Sequence, residues 1–150
     1  MTDPKPRIAI IPGDPSGIGP ELIAKLLNEE GVRNAANILL IGDEHVWRQG
    51  AEQAGLSVDL SRIDEEAIAT QQGLAWLLLQ TIAPGDVQIA EVTVAGGTSS
   101  LRCLDKALDL AMAGKVDGIL FGPFNKSALT SAGLNAEDEH RYMARYIGFQ

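Results

Sequence analysis

Apolar positions along the chain follow two rhythms, and their alternation predicts an α/β protein. Residues 8–11 form a short unbroken apolar run, with charge before it and Pro12-Gly13 after it. Runs of that length suit a strand buried on both faces, the usual state in a parallel sheet. A loop rich in Gly and Pro follows over residues 12–19. Leu22, Ile23, Leu26 and Leu27 then recur at helical spacing. That spacing predicts a helix over residues 20–30, with Pro20 at its first position and Glu21 where the helix dipole favours negative charge.

The pattern repeats. Residues 38–41 are a second buried-strand run ended by Gly42, and Asp43 is a candidate cap for a helix whose face is Val46, Trp47, Ala51 and Ala54. Residues 64–80 have helical composition, and the run 74–79 reads as a buried helix face. Residues 87–94 alternate in part and suit a strand at an edge or in an arm. A Gly- and Ser-rich start at residues 95–100 leads into a helix with Leu101, Leu104, Leu108 and Met112 as its stripe and Gly114 as its end. Residues 116–121 are the third strong strand signal, followed by Gly122-Pro123-Phe124-Asn125-Lys126 and a helix to about Ala132. A last helix is expected over residues 136–146. Strand, loop and helix in alternation place a parallel sheet between helices.

Composition narrows the classes. The 150 residues suffice for one core, and 45% hydrophobic with 21% charged residues is the balance of a globular chain rather than a disordered one. A net charge of -8 gives no electrostatic reason to seek nucleic acid or an anionic membrane, so any anionic ligand must be held by a local site. No apolar run approaches the roughly 20 residues that span a bilayer, and the first seven residues lack the apolar core of a secretory signal. The single cysteine, Cys103, cannot form an internal disulfide. A cytoplasmic protein is expected, with neither nucleic-acid nor membrane partners.

Two loops carry the candidate chemistry. Gly13-Asp14-Pro15-Ser16-Gly17-Ile18-Gly19-Pro20-Glu21 follows a strand and precedes a helix, where open α/β sheets place ligands. Its glycines can let a ligand approach the main chain, and the helix start favours an anion. The spacing is neither G-x-G-x-x-G nor a Walker loop, so a tight turn that simply requires glycine stands beside that reading. In the second loop, Lys126 sits near a helix start, where its charge opposes the dipole. A residue set against local preference invites a functional explanation, although a solvated lysine would look the same. The charged cluster Glu137-Asp138-Glu139-His140-Arg141 reads as a solvated first turn with a titratable histidine in it. His45 falls on an exposed helix turn by the same pattern. No spacing makes a metal site or a hydrolase triad.

At these loops the chain resembles a known family. Residues 11–21 are similar to the opening motif of the PdxA-type 4-hydroxythreonine-4-phosphate dehydrogenases, and residues 121–129 with Ala132-Gly133 look like that family's second signature. The resemblance implies an isocitrate/isopropylmalate-dehydrogenase-like α/β fold, mainly a parallel sheet flanked by helices. Residues 1–150 would be a single α/β region, the amino-terminal part of a longer two-domain enzyme. It implies a homodimer using NAD, with NADP left open, and a divalent metal whose ligands are expected beyond residue 150. The implied reaction oxidises a secondary alcohol of a phosphorylated hydroxy acid and then releases carbon dioxide. Asp14 and Lys126 would then be catalytic, Asn125, Glu139, His140 and Arg141 would meet substrate, and Gly17 and Gly19 would meet the cofactor.

One segment departs from the family pattern. The biosynthetic enzymes carry Gly-His-Thr-Glu after the second signature. A gapless alignment puts Glu139, His140 and Arg141 at its last three positions, and a shift of one matches His140 to the family His. The changed segment suggests a relative acting on another four-carbon acid phosphate, such as D-threonate or D-erythronate 4-phosphate, rather than on 4-phosphooxy-threonine. The alternatives are a non-catalytic anion- or nucleotide-binding α/β module, an inactive fragment, or a purely structural domain. The enzyme reading requires the two loops to emerge on one rim of one sheet and face a common ligand, whereas a purely structural domain would have Asp14 and Lys126 pointing away from each other.

Overall fold

A computed structural model describes residues 3–149 of the chain. Four parallel strands form one sheet in the order β3-β2-β1-β4: β1 (Arg7–Ile11), β2 (Asn37–Gly42), β3 (Leu74–Leu78) and β4 (Gly118–Phe121). Helices α1 (Gly19–Asn28), α2 (Glu30–Ala35), α3 (Glu44–Gln53), α4 (Val94–Met112), α5 (Lys126–Ser131) and α6 (Glu139–Tyr146) complete it. Short 3-10 turns occupy Glu65–Thr70 and Pro84–Asp86. The α/β class and the parallel sheet expected from the pattern are present.

Strand alternation divides the interior into two cores. Ala9 and Ile11 of β1, Leu39 and Ile41 of β2, and Ala75 and Leu77 of β3 face Cys103, Leu104, Ala107 and Leu108 of α4. Their neighbours Ile10, Leu40 and Trp76 face Ile23 and Leu27 of α1 and Trp47 of α3. Successive strand side chains point to opposite faces, so an unbroken apolar run is what a sheet covered on both sides needs. Each fully buried Ile or Leu stabilises the fold by about 1.5–3 kcal/mol.

Two predicted elements differ. The run 74–79, read as a helix face, is strand β3. Gly73 breaks any helix there with φ +67, and its N–H donates to the Asn37 Oδ1 at 2.9 Å while its carbonyl accepts from the Ile38 N–H. Those bonds start a ladder with β2 that runs from Ile38↔Leu74 to Gly42↔Leu78. A six-residue apolar run without β-branched residues cannot be assigned by period alone, and tertiary pairing decides it. The segment 87–94, read as a strand, forms none. It folds back over the first loop, with the Ala90 N–H donating to the Ser16 carbonyl at 2.8 Å and the Gln88 N–H to the Ser16 hydroxyl at 3.2 Å.

Smaller corrections concern single residues. Asp43 does not cap α3 with its side chain, because its carboxylate accepts from Thr81 instead. Leu22 and Met112 lie off their helices' buried faces, and Leu110 takes a core position that the predicted stripe omitted. Thr93, which the sequence reading passed over, caps α4 by accepting from the Gly96 N–H at 2.9 Å.

Candidate active site at the carboxyl rim of the sheet

β1 and β4 are parallel neighbours, with Ile8↔Gly118 through Ile11↔Phe121 in register. The loops that follow them therefore leave the same rim. They are also tied together, since the Asp14 N–H donates to the Pro123 carbonyl at 3.0 Å. Sheet order reverses here, with β2 and β3 on one side of β1 and β4 on the other. Such a switch point is the usual ligand crevice of an open α/β sheet.

This crevice is filled by the protein's own main chain. A Cβ on Gly13, whose φ is +75, would sit 2.3 Å from the Gly122 carbonyl oxygen, and one on Gly122 would sit 2.2 Å from that of Pro12. Gly19 meets the Pro12 carbonyl at 2.0 Å in the same way. Backbone, not ligand, occupies the space these glycines leave open. Gly17 is different: a Cβ there would make only ordinary contacts.

The loop also spends part of its own donors. The Asp14 N–H goes to Pro123, the Ser16 N–H to the Asp14 Oδ1 at 2.9 Å, and the Gly17 N–H to the Asp14 carbonyl at 3.0 Å. Pro15 and Pro20 have no N–H to offer. Of the two residues expected to hold a cofactor phosphate, Gly17 thus has its N–H spent within the loop, whereas the N–H groups of Gly13, Ile18 and Gly19 have no protein acceptor among the described residues.

Asp14 is only 4% exposed. Its Oδ1 would lie 3.1 Å from a Cβ on Gly96, so the carboxyl packs against the first turn of α4. Burial raises its pKa above the ordinary carboxylate value, with the Ser16 N–H pulling the other way. The Ser100 hydroxyl donates to the Gly13 carbonyl at 3.0 Å and fastens α4 to the loop. α4 then meets α5 where Gly97 passes the Ala128 carbonyl so closely that a Cβ would be 2.0 Å from it.

Lys126 is exposed at the first position of α5. Asn125 caps that helix, its Oδ1 accepting from the Ala128 N–H at 3.0 Å, which leaves its amide NH₂ to donate elsewhere. Lys126 is one of the groups that act on Asp138, whose pKa is lowered first by the Arg141 N–H it accepts and further by His140, Lys126 and Arg141. The predicted second loop and the predicted charged cluster are therefore one neighbourhood. His140 and Arg141 are exposed in it, and the Glu139 Oε2 is shielded from solvent without a hydrogen-bond partner. Helix α6 is held in place by tyrosines, with the Tyr142 hydroxyl donating to the Asp105 carboxylate and that of Tyr146 to Asp109 at 2.8 Å. Burial pushes both phenols upward, and each carboxylate adds to the shift.

The two loops share a rim, as the enzyme reading requires, yet their leading side chains diverge, as expected of a purely structural domain. Asp14 turns inward to α4, and Lys126 turns outward beside α6. Among the described residues no group of three His, Cys, Asp or Glu side chains could hold a metal, and no helix is long and apolar enough to cross a membrane.

Known proteins agree with this architecture. The family model described as "Pyridoxal phosphate biosynthetic protein PdxA" matches residues 34–150. The chain is 41% identical over 147 residues to "Putative 4-hydroxythreonine-4-phosphate dehydrogenase 2" of Rhizobium meliloti, covering 97% of this chain and 42% of that protein. It is 35% identical to the 4-hydroxythreonine-4-phosphate dehydrogenase of Geobacter metallireducens, covering 95% of this chain and 41% of the relative. A crystal structure of a 4-hydroxythreonine-4-phosphate dehydrogenase from Burkholderia phymatum superposes with a TM-score of 0.87 at 26% identity, over 99% of this chain and 45% of that one. The chain thus spans less than half the length of the relatives it matches. The family model and these relatives, all dehydrogenases by name, place this chain in the PdxA family.

Proposed function

We propose that the complete protein is a dehydrogenase that oxidises a secondary alcohol of a phosphorylated four-carbon hydroxy acid, with NAD accepting the hydride, a divalent metal assisting, and carbon dioxide leaving. The observation that carries this reading is similarity along nearly the whole chain to proteins named for such substrates. They include the 4-hydroxythreonine-4-phosphate dehydrogenase of Geobacter metallireducens. The metal would polarise the hydroxyl and the ketone it becomes, and no residue among those described supplies its ligand set.

This chain's own contribution would come from the neighbourhood of α5 and α6. Lys126 can hold positive charge, or a proton, beside the substrate oxygens, and the Asn125 amide can donate a hydrogen bond. His140 and Arg141 add positive groups suited to a carboxylate or phosphate. Asp14 would act as a positioning residue, fixing the first loop against α4 rather than touching substrate. The broken Gly-His-Thr-Glu pattern at residues 137–141 favours a threonate- or erythronate-type acid phosphate. A homodimer would cover the exposed apolar side chains of Ile18, Leu22, Ile89 and Val92.

The test is NADH formation by the protein at its full natural length. D-threonate 4-phosphate, D-erythronate 4-phosphate and 4-phosphooxy-threonine would each be offered, with divalent metal and with a chelator. Metal-dependent turnover of at least one is expected. Absence of turnover with all three would overturn the proposal.

A further inference from the structure

A cleft of about 610 Å³ opens at the carboxyl ends of β2 and β3, away from the filled crevice between β1 and β4. Its walls come from Asp43 and His45 after β2, Thr81 and Asp86 after β3, and Thr98 and Arg102 of α4. The volume lies within the range of small-molecule sites. The walls are braced without any ligand. Both Asp43 carboxylate oxygens accept from the Thr81 N–H at 3.0 Å, and the Thr81 hydroxyl pairs with Asp43 and with the Ser99 hydroxyl at 2.6 Å.

Its chemistry is concentrated on one side. Thr98 and Arg102 are four residues apart and share a face of α4 with Ala95, which also lines the cleft. Helical side chains lean toward the N-terminus, so Arg102 extends back over Thr98 toward the first turn. There the Val94 and Ala95 N–H groups have no carbonyl a turn earlier to accept them. Arg102 takes part in none of the ion pairs among the described residues. A planar guanidinium beside a hydroxyl and free amides matches the oxygens of a phosphate.

The two carboxylates in the cleft refine the ligand class. Asp43 is already satisfied by Thr81, whereas Asp86 is exposed and can accept hydrogen bonds from hydroxyl groups. A bare anion would meet both negative groups with nothing to offer them. A molecule that is both phosphorylated and hydroxylated would satisfy each wall. The geometry points to this cleft as a binding site for a phosphorylated polyhydroxy small molecule, with its phosphate on Arg102, Thr98 and the first turn of α4. That chemistry is shared by the phosphate of a sugar acid and by a phosphate next to the ribose of a nucleotide. The assignment rests on the cleft itself and holds whether or not the protein oxidises anything.

Calorimetric titration of the full-length protein tests it, with inorganic phosphate, D-erythronate 4-phosphate and NAD as separate titrants. At least one phosphorylated titrant should bind, and Arg102→Ala should weaken it about tenfold or more. Arg102→Lys, which keeps the charge and loses the fork, should fall between. Arg48→Ala, which removes an arginine paired with Glu44 at 2.7 Å outside the cleft, should leave binding unchanged. Weakening of the acid phosphate alone would identify the substrate as the source of the phosphate, and weakening of NAD alone would identify the cofactor. Binding of every titrant to Arg102→Ala as tightly as to the unaltered protein, or to neither, would overturn the assignment. Intact binding without turnover would sink the dehydrogenase proposal and leave this site standing.

Discussion

The rim between β1 and β4 and the cleft beyond β2 and β3 lie at the same end of one sheet, yet they are built on opposite plans. At the first, glycines remove side chains so that main chain can touch main chain, and the Asp14, Ser16 and Gly17 amides are consumed inside the protein. At the second, polar side chains from three segments line an open space, and Arg102 is left without an ion pair among the described residues. A glycine-rich loop after a strand is commonly taken as a place for a ligand. Here its glycines serve closure, and the open chemistry is one strand-pair away. Glycine content alone does not separate these outcomes; the fate of the amides does.

The largest effect should come from forcing a side chain into the closed rim. Gly122→Ala places a Cβ against the Pro12 carbonyl and the Gly19 Cα, atoms that cannot rotate away. A loss of about 3 kcal/mol or more in urea unfolding is expected, the scale of severe overpacking. Tolerance of that change would mean the crevice is looser than its contacts indicate.

Next in size is Tyr142→Phe, which deletes the hydroxyl donating to Asp105 across the contact between α6 and α4. A hydrogen bond to a charged group is worth about 1.5–3 kcal/mol, less here because the pair is only half-buried. Faster amide exchange in residues 139–146 would report the loosening of the segment that presents His140 and Arg141. Unchanged exchange there would show that α6 is held by something else.

Asp14 offers a smaller effect with a definite sign. Its pKa is raised by burial, so its contribution to stability is fully present below the ordinary carboxylate value and is lost as pH rises through the folded value. Asp14→Asn keeps an acceptor for the Ser16 N–H and removes the buried charge. The variant should therefore match or exceed the parent in stability at neutral pH, with a flatter acid-side dependence of the unfolding midpoint. Asp14→Ala, which orphans the Ser16 N–H, should cost about 1–2 kcal/mol. If Asp14→Asn instead unfolds readily at neutral pH, the carboxylate is needed ionised and burial does not disfavour its charge.

The smallest effect belongs to the open cleft. Arg102→Ala should change stability by no more than about 0.5 kcal/mol, as expected for an exposed side chain free of ion pairs. A larger loss would recast Arg102 as a structural residue.

Much of the fold was legible in the chain because β1 and β2 are made of Ile- and Leu-rich runs between Pro, Gly and charge, which few alternatives suit. β3 was not, since Leu74–Leu78 contains no β-branched residue and its strand character is set by pairing with Asn37–Gly42. The shared rim of the two motifs was also readable, because both loops follow strands of a parallel sheet. The inward turn of Asp14 was not: it depends on Gly96, more than eighty residues away in sequence. The cleft escaped for the same reason. Asp43, Thr81 and Arg102 are unremarkable where they stand, and only the sheet order brings their segments together. The one local signal was the pair Thr98 and Arg102 on a helix that starts in glycine and serine. The reading of His45 as exposed missed a nitrogen that is shielded.

Amide hydrogen exchange of the full-length protein, with and without NAD and D-erythronate 4-phosphate, reads both regions at once. The Asp14, Ser16 and Gly17 amides should be slow before any ligand is added and should not change on addition, while residues 80–86 and 94–102 slow when ligand binds. Fast exchange across residues 14–17 in the free protein, slowed only by ligand, would contradict the account, because the glycine loop would then be the open site and not the closed one.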